Sequence, residues 1–343
     1  MLSFEIAGVT TITNNKEVSV KGIKKVLAFG AGALVLAAAI GLAVLFLGYP
    51  DGGPAPQVNV ISSPERLARG EYIANHVAVC IDCHSTRDWS RFSGPIVAGT
   101  EGRGGDAFDE KLGFPGSISA ANITPAGIGG MTDGEVAHAI VSGIGKGGQP
   151  LFPIMPYMAF NTLSQEDLES IVAYIRTLKS VSHEVPERRL DFPVSVLVRT
   201  MPMEYTPAPP VNKGNSFEYG KYLTTLASCI HCHTPQEKGE LLKGKEFSGG
   251  WEIPTPEGTI RSANITPDEE TGIGLWTKDI FIAKFKEFEH ADSTKLNLAT
   301  MGRQSFMPWT MYAGMTEDDL GAVYDYLRTV PAIKNRVEVW TPR

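Results

Sequence analysis

From Val26 to Leu47 the chain runs for 22 residues, VLAFGAGALVLAAAIGLAVLFL, without one charged or strongly polar side chain. As a helix such a run is about 33 Å long, close to the thickness of a hydrocarbon core. A cleaved signal peptide has an apolar run of only about 7–15 residues. The pattern therefore predicts an uncleaved transmembrane helix over residues 26–49, behind a head of residues 1–25. Lys16, Lys21, Lys24 and Lys25 precede the run, and Asp51 is the first charge after it. By the positive-inside rule the head is cytoplasmic and everything after Tyr49 is exported. The expected topology is a single pass through a bacterial cytoplasmic membrane, with the rest of the chain periplasmic.

Beyond the membrane run the apolar periodicity is helical but short. Leu168, Ile171, Val172 and Ile175 fall on one helical face. Ser164 followed by Asp167 marks the N-terminus of that helix. The same pattern returns at Thr316 and Asp319, inside Met315-Thr-Glu-Asp-Asp-Leu320 against Leu163-Ser-Gln-Glu-Asp-Leu168. Repetition extends further upstream. Gly70-Glu71-Tyr72 matches Gly220-Lys221-Tyr222, and Ala121-Asn-Ile-Thr-Pro125 recurs as Ala263-Asn-Ile-Thr-Pro267. Gly127-Ile-Gly129 recurs as Gly272-Ile-Gly274, and Met155-Pro-Tyr157 as Met307-Pro-Trp309. One module is thus written twice, over 62–181 and 216–335. Residues 50–61 read as a tether, the Pro-rich stretch 182–215 as a linker, and 336–343 as a C-terminal tail.

All four cysteines lie in two copies of one pentapeptide, Cys80-Ile-Asp-Cys83-His84 and Cys229-Ile-His-Cys232-His233. Cys-x-x-Cys-His is the c-type haem attachment signature. Two thiols add to the two vinyl groups of one haem, and the neighbouring imidazole becomes the proximal ligand to iron. A zinc ribbon places its second pair some 15–20 residues after the first, whereas these pairs are 149 positions apart. A redox dithiol requires no histidine after it. The pattern predicts two covalently attached haem c groups. It also predicts an all-α fold: an N-terminal transmembrane helix followed by two tandem cytochrome c domains.

The distal ligands follow from the repeat. Ten methionines compete, but only Met155 and Met307 hold equivalent places, 71 and 74 residues after His84 and His233. The proline after each restricts the backbone and can hold the sulfur toward iron. Met158 is the alternative in the first module, and Met301 or Met311 in the second. His138 is matched by Ala283, so bis-histidine ligation is not repeated. His76, His183, His231 and His290 read as surface, loop or supporting residues. The net charge of −7 carries no basic stripe for phosphates, which argues against nucleic acid as a partner.

The haem motifs, the two Ala-Asn-Ile-Thr-Pro segments, Gly-Ile-Gly and Met-Pro-Tyr/Trp give residues 65–335 a resemblance to a known family. The chain resembles the multihaem cytochrome c subunits of membrane-bound alcohol, aldehyde and gluconate dehydrogenases. The match is fullest from Gly249 through Pro254-Thr-Pro-Glu-Gly-Thr-Ile260 and Asn264-Ile-Thr-Pro-Asp-Glu-Glu-Thr-Gly-Ile-Gly-Leu-Trp-Thr277. The resemblance implies that His84 and His233 are proximal and Met155 and Met307 distal ligands. It implies electron transfer without substrate chemistry, from a dehydrogenase to the quinone pool or a downstream carrier. Family members commonly have three haem domains, where this chain has two and adds a membrane helix. Service to a quinol-oxidising complex, a terminal oxidase or a soluble cytochrome is therefore equally open. The enzymatic rival is a dihaem cytochrome c peroxidase, which needs one iron able to open a coordination site. A methionine in both modules argues against it.

Overall fold

The computed structural model describes residues 20–237, 239–292 and 294–343. Residues 1–19, which make up most of the expected head and include Lys16, lie outside the described residues. Val20–Gly48 form one uninterrupted helix of 29 residues. Its Lys24–Gly48 part is long and apolar enough to cross a membrane, and most of its large apolar side chains are exposed, from Val26 and Leu27 to Phe46 and Leu47.

Pro50–Arg343 form a second unit, in which the two repeats share one order of main helices: a leading helix, the cysteine turn, a middle helix, a short helix after the Met-Pro turn and a closing helix. Each begins with a leading helix, Pro64–Tyr72 or Ser216–Leu226, and ends with a closing helix, Gln165–Arg176 or Glu317–Leu327. Side-chain oxygens cap all four at the N-terminus. Ser63 accepts from Arg66 N, Asn215 from Glu218 N, Ser164 from Asp167 N and Thr316 from Asp319 N, at 3.1–3.2 Å. Each such cap contributes about 1 kcal/mol. Leu168, Ile171, Val172 and Ile175 are all buried, as the periodicity predicts.

The leading and closing helices of each repeat cross at a glycine. A Cβ on Gly70 would overlap the carbonyl of Ser170, and one on Gly220 the carbonyl of Ala322. The Gly-x-Tyr repeat is therefore a packing signature: backbone rests directly on backbone.

The all-α expectation is corrected by the sheets. Among the described residues three small antiparallel sheets accompany the helices. In the first repeat β1 (Ala107–Phe108), β2 (Gly116–Ser119) and β3 (Arg189–Leu190) lie side by side. In the second, β4 (Gln236–Glu237) pairs with β5 (Glu240–Leu241). There too β6 (Glu252–Thr255), β7 (Gly258–Arg261) and β8 (Trp340–Pro342) form a sheet. The physical cause is the Gly/Pro-rich composition after each cysteine motif. Those loops cannot form helices, yet their partly buried amides and carbonyls still need partners. Ile253 and Ile260 point into the core while their neighbours face out, the alternation of a half-buried hairpin.

Two of these strands come from stretches that resemble a linker and a tail in sequence. β3 lies within 182–215 and pairs with β2, and β8 lies within 336–343 and pairs with β7. The 182–215 stretch also rests on the first repeat, with Met203 N donating to Ser142 O and Tyr205 OH to Leu163 O. Within 50–61, Asn59 N donates to Glu169 Oε1 at 2.9 Å.

The repeats meet through reciprocal contacts. Tyr72 OH donates to Asp319 Oδ2 at 2.6 Å, and its equivalent Tyr222 OH donates to Asp167 Oδ2 at 2.7 Å. Each leading-helix tyrosine thus reaches the first turn of the other repeat's closing helix. Arg69 forks onto Asp167 through Nε and Nη2 at 2.8 and 2.9 Å. Tyr219, which stands where Arg69 does, donates to Asp319 at 3.2 Å.

Candidate functional site

The two cysteine motifs are single helical turns, Cys80–Cys83 and Cys229–Cys232. One turn brings residues i and i+3 to the same side, so each pair presents both sulfurs to one ligand. The residue before each turn is left-handed although it is not glycine: Val79 has φ 45° and Ser228 φ 53°. Such a conformation costs about 1–3 kcal/mol and persists where the surroundings impose it. It occurs at the same place in both copies.

The imidazoles that follow are held alike. His84 Nδ1 lies 2.7 Å from Ala121 O, and His233 Nδ1 lies 2.7 Å from Ala263 O. A carbonyl only accepts, so Nδ1 carries the hydrogen and the Nε2 lone pair is left for a metal. Burial pushes both histidines below the usual imidazole range, with the carbonyl bond acting the other way. Both rings are thus kept neutral, the form in which imidazole binds iron.

The two alanines belong to the repeated Ala-Asn-Ile-Thr-Pro segments, which the structure shows to be clamps. Asn122 Nδ2 donates to Val181 O at 2.9 Å, and Asn264 Nδ2 to Ile333 O at 2.8 Å. Asn122 Oδ1 accepts from Thr124 N, and Asn264 Oδ1 from Thr266 N, both at 2.9 Å. Thr124 Oγ1 and Thr266 Oγ1 accept from Val181 N and Ile333 N at 3.2 Å. Each asparagine therefore ties the loop that aims the histidine to the chain leaving the closing helix. The repeat was visible in the sequence, but this role was not.

The surroundings of the thiols do not favour thiolate. Burial pushes Cys80 and Cys229 up to about 12 and Cys232 up to about 11, and raises Cys83 further. A reactive dithiol or zinc site relies on thiolates favoured by positive surroundings. Among the described residues no group of three or more His, Cys, Asp or Glu side chains could hold a metal ion. The doubled turn with a neutral, carbonyl-bonded histidine fits two haem c attachment motifs.

Met155 and Met307 sit in identical turns. Tyr157 N donates to Met155 O and Trp309 N to Met307 O, both at 2.8 Å, across Pro156 (φ −81°, ψ 53°) and Pro308 (φ −79°, ψ 65°). These are inverse γ-turns, which the fixed φ of proline favours. Both methionines are half-buried against the same core as Cys80 and Cys229. Of the alternatives, Met158 is exposed. Met311 is buried and accepts His76 Nδ1 at its carbonyl at 2.9 Å, and Met301 packs in a satellite cluster with Phe92, Phe288 and Leu296. His138 lies against Gly52 O.

Around the first motif the structure adds residues that the repeat could not reveal. Asp82, inside the pentapeptide, is buried and 3.0 Å from Arg87 Nη1, with Asp106 at 3.7 Å from the same nitrogen. Burial pushes Asp82 up to about 6, Arg87 pulls it down and Asp106 adds to the rise. Arg87 stacks over Trp89 at 4.0 Å, and Trp89 Nε1 donates to Asp106 at 3.3 Å. The counterpart of Asp82 is His231, whose Nδ1 is buried without a hydrogen-bond partner among the described residues. From histidine to clamp alanine the first repeat spans 37 positions and the second 30. Arg87 and Trp89 therefore lie in a longer loop with no repeat to flag them.

Comparison with known proteins agrees with this geometry. Residues 217–331 match the cytochrome c family. The chain is 32% identical over 282 residues to the fructose dehydrogenase cytochrome subunit of Gluconobacter japonicus, covering 78% of this chain and 53% of that one. It is 28% identical over 290 residues to the alcohol dehydrogenase (quinone) cytochrome c subunit of Gluconacetobacter polyoxogenes, covering 78% and 56%. A diheme cytochrome c-type protein of Cereibacter sphaeroides is 26% identical over 296 residues, covering 80% of this chain and 92% of that one. The chain spans about half the length of the dehydrogenase cytochrome subunits it matches.

Proposed function

We propose that this chain is a membrane-anchored dihaem electron carrier that takes electrons from a dehydrogenase-type partner and passes them to a quinone or a downstream carrier. Cys80, Cys83 and His84 hold one haem c with Met155 as distal ligand. Cys229, Cys232 and His233 hold the other with Met307. When bound, haem supplies a one-electron iron couple whose potential is raised by His/Met ligation. The protein contributes placement. The clamp segments fix each imidazole in its neutral, Nδ1-protonated form, and the γ-turns set the methionine backbones. The observation that carries the reading is the duplicated bond from His Nδ1 to a clamp-alanine carbonyl, at 2.7 Å in both repeats. A dehydrogenase partner is supported by the names of the relatives, and the two-haem form by the shorter relative.

Ligation is tested one haem at a time. In ferric protein the weak far-red charge-transfer band of an iron–sulfur bond is expected from both haems. Met155→His should remove one share of the band and lower one potential, and Met307→His should do the same for the other haem. An unchanged band in either variant rules out that methionine. Peroxide turnover approaching about 10 per second, the typical enzyme rate, would instead favour a peroxidase.

The anchor is tested separately. Deleting residues 1–48 from the gene and exporting the remainder behind a cleavable signal is expected to yield a water-soluble dihaem protein. Continued membrane attachment would show that the Val20–Gly48 helix is not what holds the chain.

A further inference from the structure

The loop after the first cysteine motif does not stay with its own repeat. Phe92 N donates to Leu296 O at 2.7 Å, and the Phe92 ring stacks on Phe288 at 5.7 Å. Trp89 lies 5.0 Å from Phe306, the residue before Met307. At the tip, Ser93 is left-handed with φ 65° and buried. Its hydroxyl donates to Met307 O at 2.6 Å and accepts from Trp309 N at 3.1 Å. Both ends of the second γ-turn are therefore bonded to one side chain from the other repeat.

The support is doubled from the Met307 side. Gln304 Oε1 accepts from Ser93 N and Ser305 N at 2.8 Å. Gln304 Nε2 donates to Trp89 O and Arg91 O at 3.0 and 2.9 Å. Ser305 Oγ then accepts Met307 N at 3.2 Å. Behind the tip, Arg87 donates to Ser93 O at 2.7 Å and Gly94 O at 2.9 Å while pairing with Asp82 in the first motif. Named residues thus connect the first attachment turn to the second methionine turn. Among the described residues, Met155 O accepts its own γ-turn amide and no side-chain donor.

We propose that Ser93 is a positioning residue for Met307, so that distal ligation of the second haem depends on a side chain of the first repeat. The proposal rests on Met307 being a distal ligand. A γ-turn is one weakly held residue wide. Without the hydroxyl, Met307 O and Trp309 N lose a buried partner, and the turn can rotate the sulfur away. An iron–sulfur bond is weak enough that a change of this size registers in ligand exchange.

Ser93→Gly separates the hydroxyl from the backbone, because glycine adopts φ 65° without strain. In full-length dihaem protein, this variant is expected to lose the far-red share of one haem or to bind added imidazole at one haem markedly faster. The corresponding potential should fall and the other should stay. Met307→His is measured alongside. If it removes one share of the band while Ser93→Gly leaves band, imidazole binding and both potentials unchanged, the positioning role is wrong and the ligand assignment stands. If Met307→His leaves the band intact, ligand assignment and positioning role fall together. Loss of the Met155 share in Ser93→Gly would also overturn the proposal.

Discussion

Gly220→Ala is expected to destabilise the haem-bearing unit by about 3 kcal/mol or more, at the upper end of what overpacking usually costs. Alanine is favoured over glycine in a helix interior by about 1 kcal/mol, so an isolated helix would gain. Here the added methyl overlaps the Ala322 carbonyl, and Tyr326 Cβ stands 3.1 Å away. Backbone cannot swing aside as a flexible side chain could, so the leading and closing helices must separate. Gly70→Ala meets Ser170 and Tyr174 in the same way and should behave alike. Gly321→Ala is the control. It lies within the closing helix, its nearest neighbour would be Lys278 Cδ at 3.4 Å, and that variant should be neutral or slightly more stable. Urea unfolding followed by far-ultraviolet circular dichroism measures all three. Equal midpoints for Gly220→Ala and Gly321→Ala would refute the close crossing.

Asp167→Ala is expected to cost about 3–5 kcal/mol, the usual penalty when one partner of a buried ion pair is removed. Its carboxylate takes two bonds from Arg69 and one from Tyr222, and its side chain is 10% exposed against 18% for Arg69. Burial alone would weaken the Arg69 charge, but the bond and field of Asp167 outweigh it and hold the guanidinium protonated. The variant strands that charge and the Tyr222 hydroxyl together. Asp319→Ala is the mirror experiment. Among the described residues Asp319 receives only the Tyr72 and Tyr219 hydroxyls, so its loss should cost about 1–3 kcal/mol, the price of unsatisfied neutral groups. The same unfolding assay compares them. Asp319→Ala proving as damaging as Asp167→Ala would mean that the Arg69 charge contributes little.

The candidate site was legible in sequence because it depends on local spacing. Cys-x-x-Cys-His needs one helical turn, and one turn is what these residues form. The repeat reduced ten methionines to two, and both lie in the proline-fixed γ-turns. The capping residues Ser164 and Thr316, the buried face from Leu168 to Ile175 and the apolar helix were equally readable, since each follows from a period or from a neighbour three residues away.

What the sequence concealed has a common physical cause: it depends on backbone groups or on residues far apart in the chain. The strands form because loop amides need partners, and hydrophobic period does not report that need. β3 and β8 come from stretches whose proline content and position suggest linker and tail. The Ala-Asn-Ile-Thr-Pro clamp was conspicuous as a repeat. That its alanine carbonyl receives a histidine 37 or 30 positions earlier appears only when the loop is folded. Ser93, Gln304, Arg87 and Asp82 have no repeated partner, so internal comparison passed over them. The sequence by itself determined two candidate attachment turns, two candidate methionines and one apolar helix, because each is a matter of local spacing. Only the tertiary structure decided that the repeats exchange tyrosine–aspartate bonds and that one repeat holds the other's methionine turn. Those contacts join residues 55 to 247 positions apart, and no local pattern encodes them.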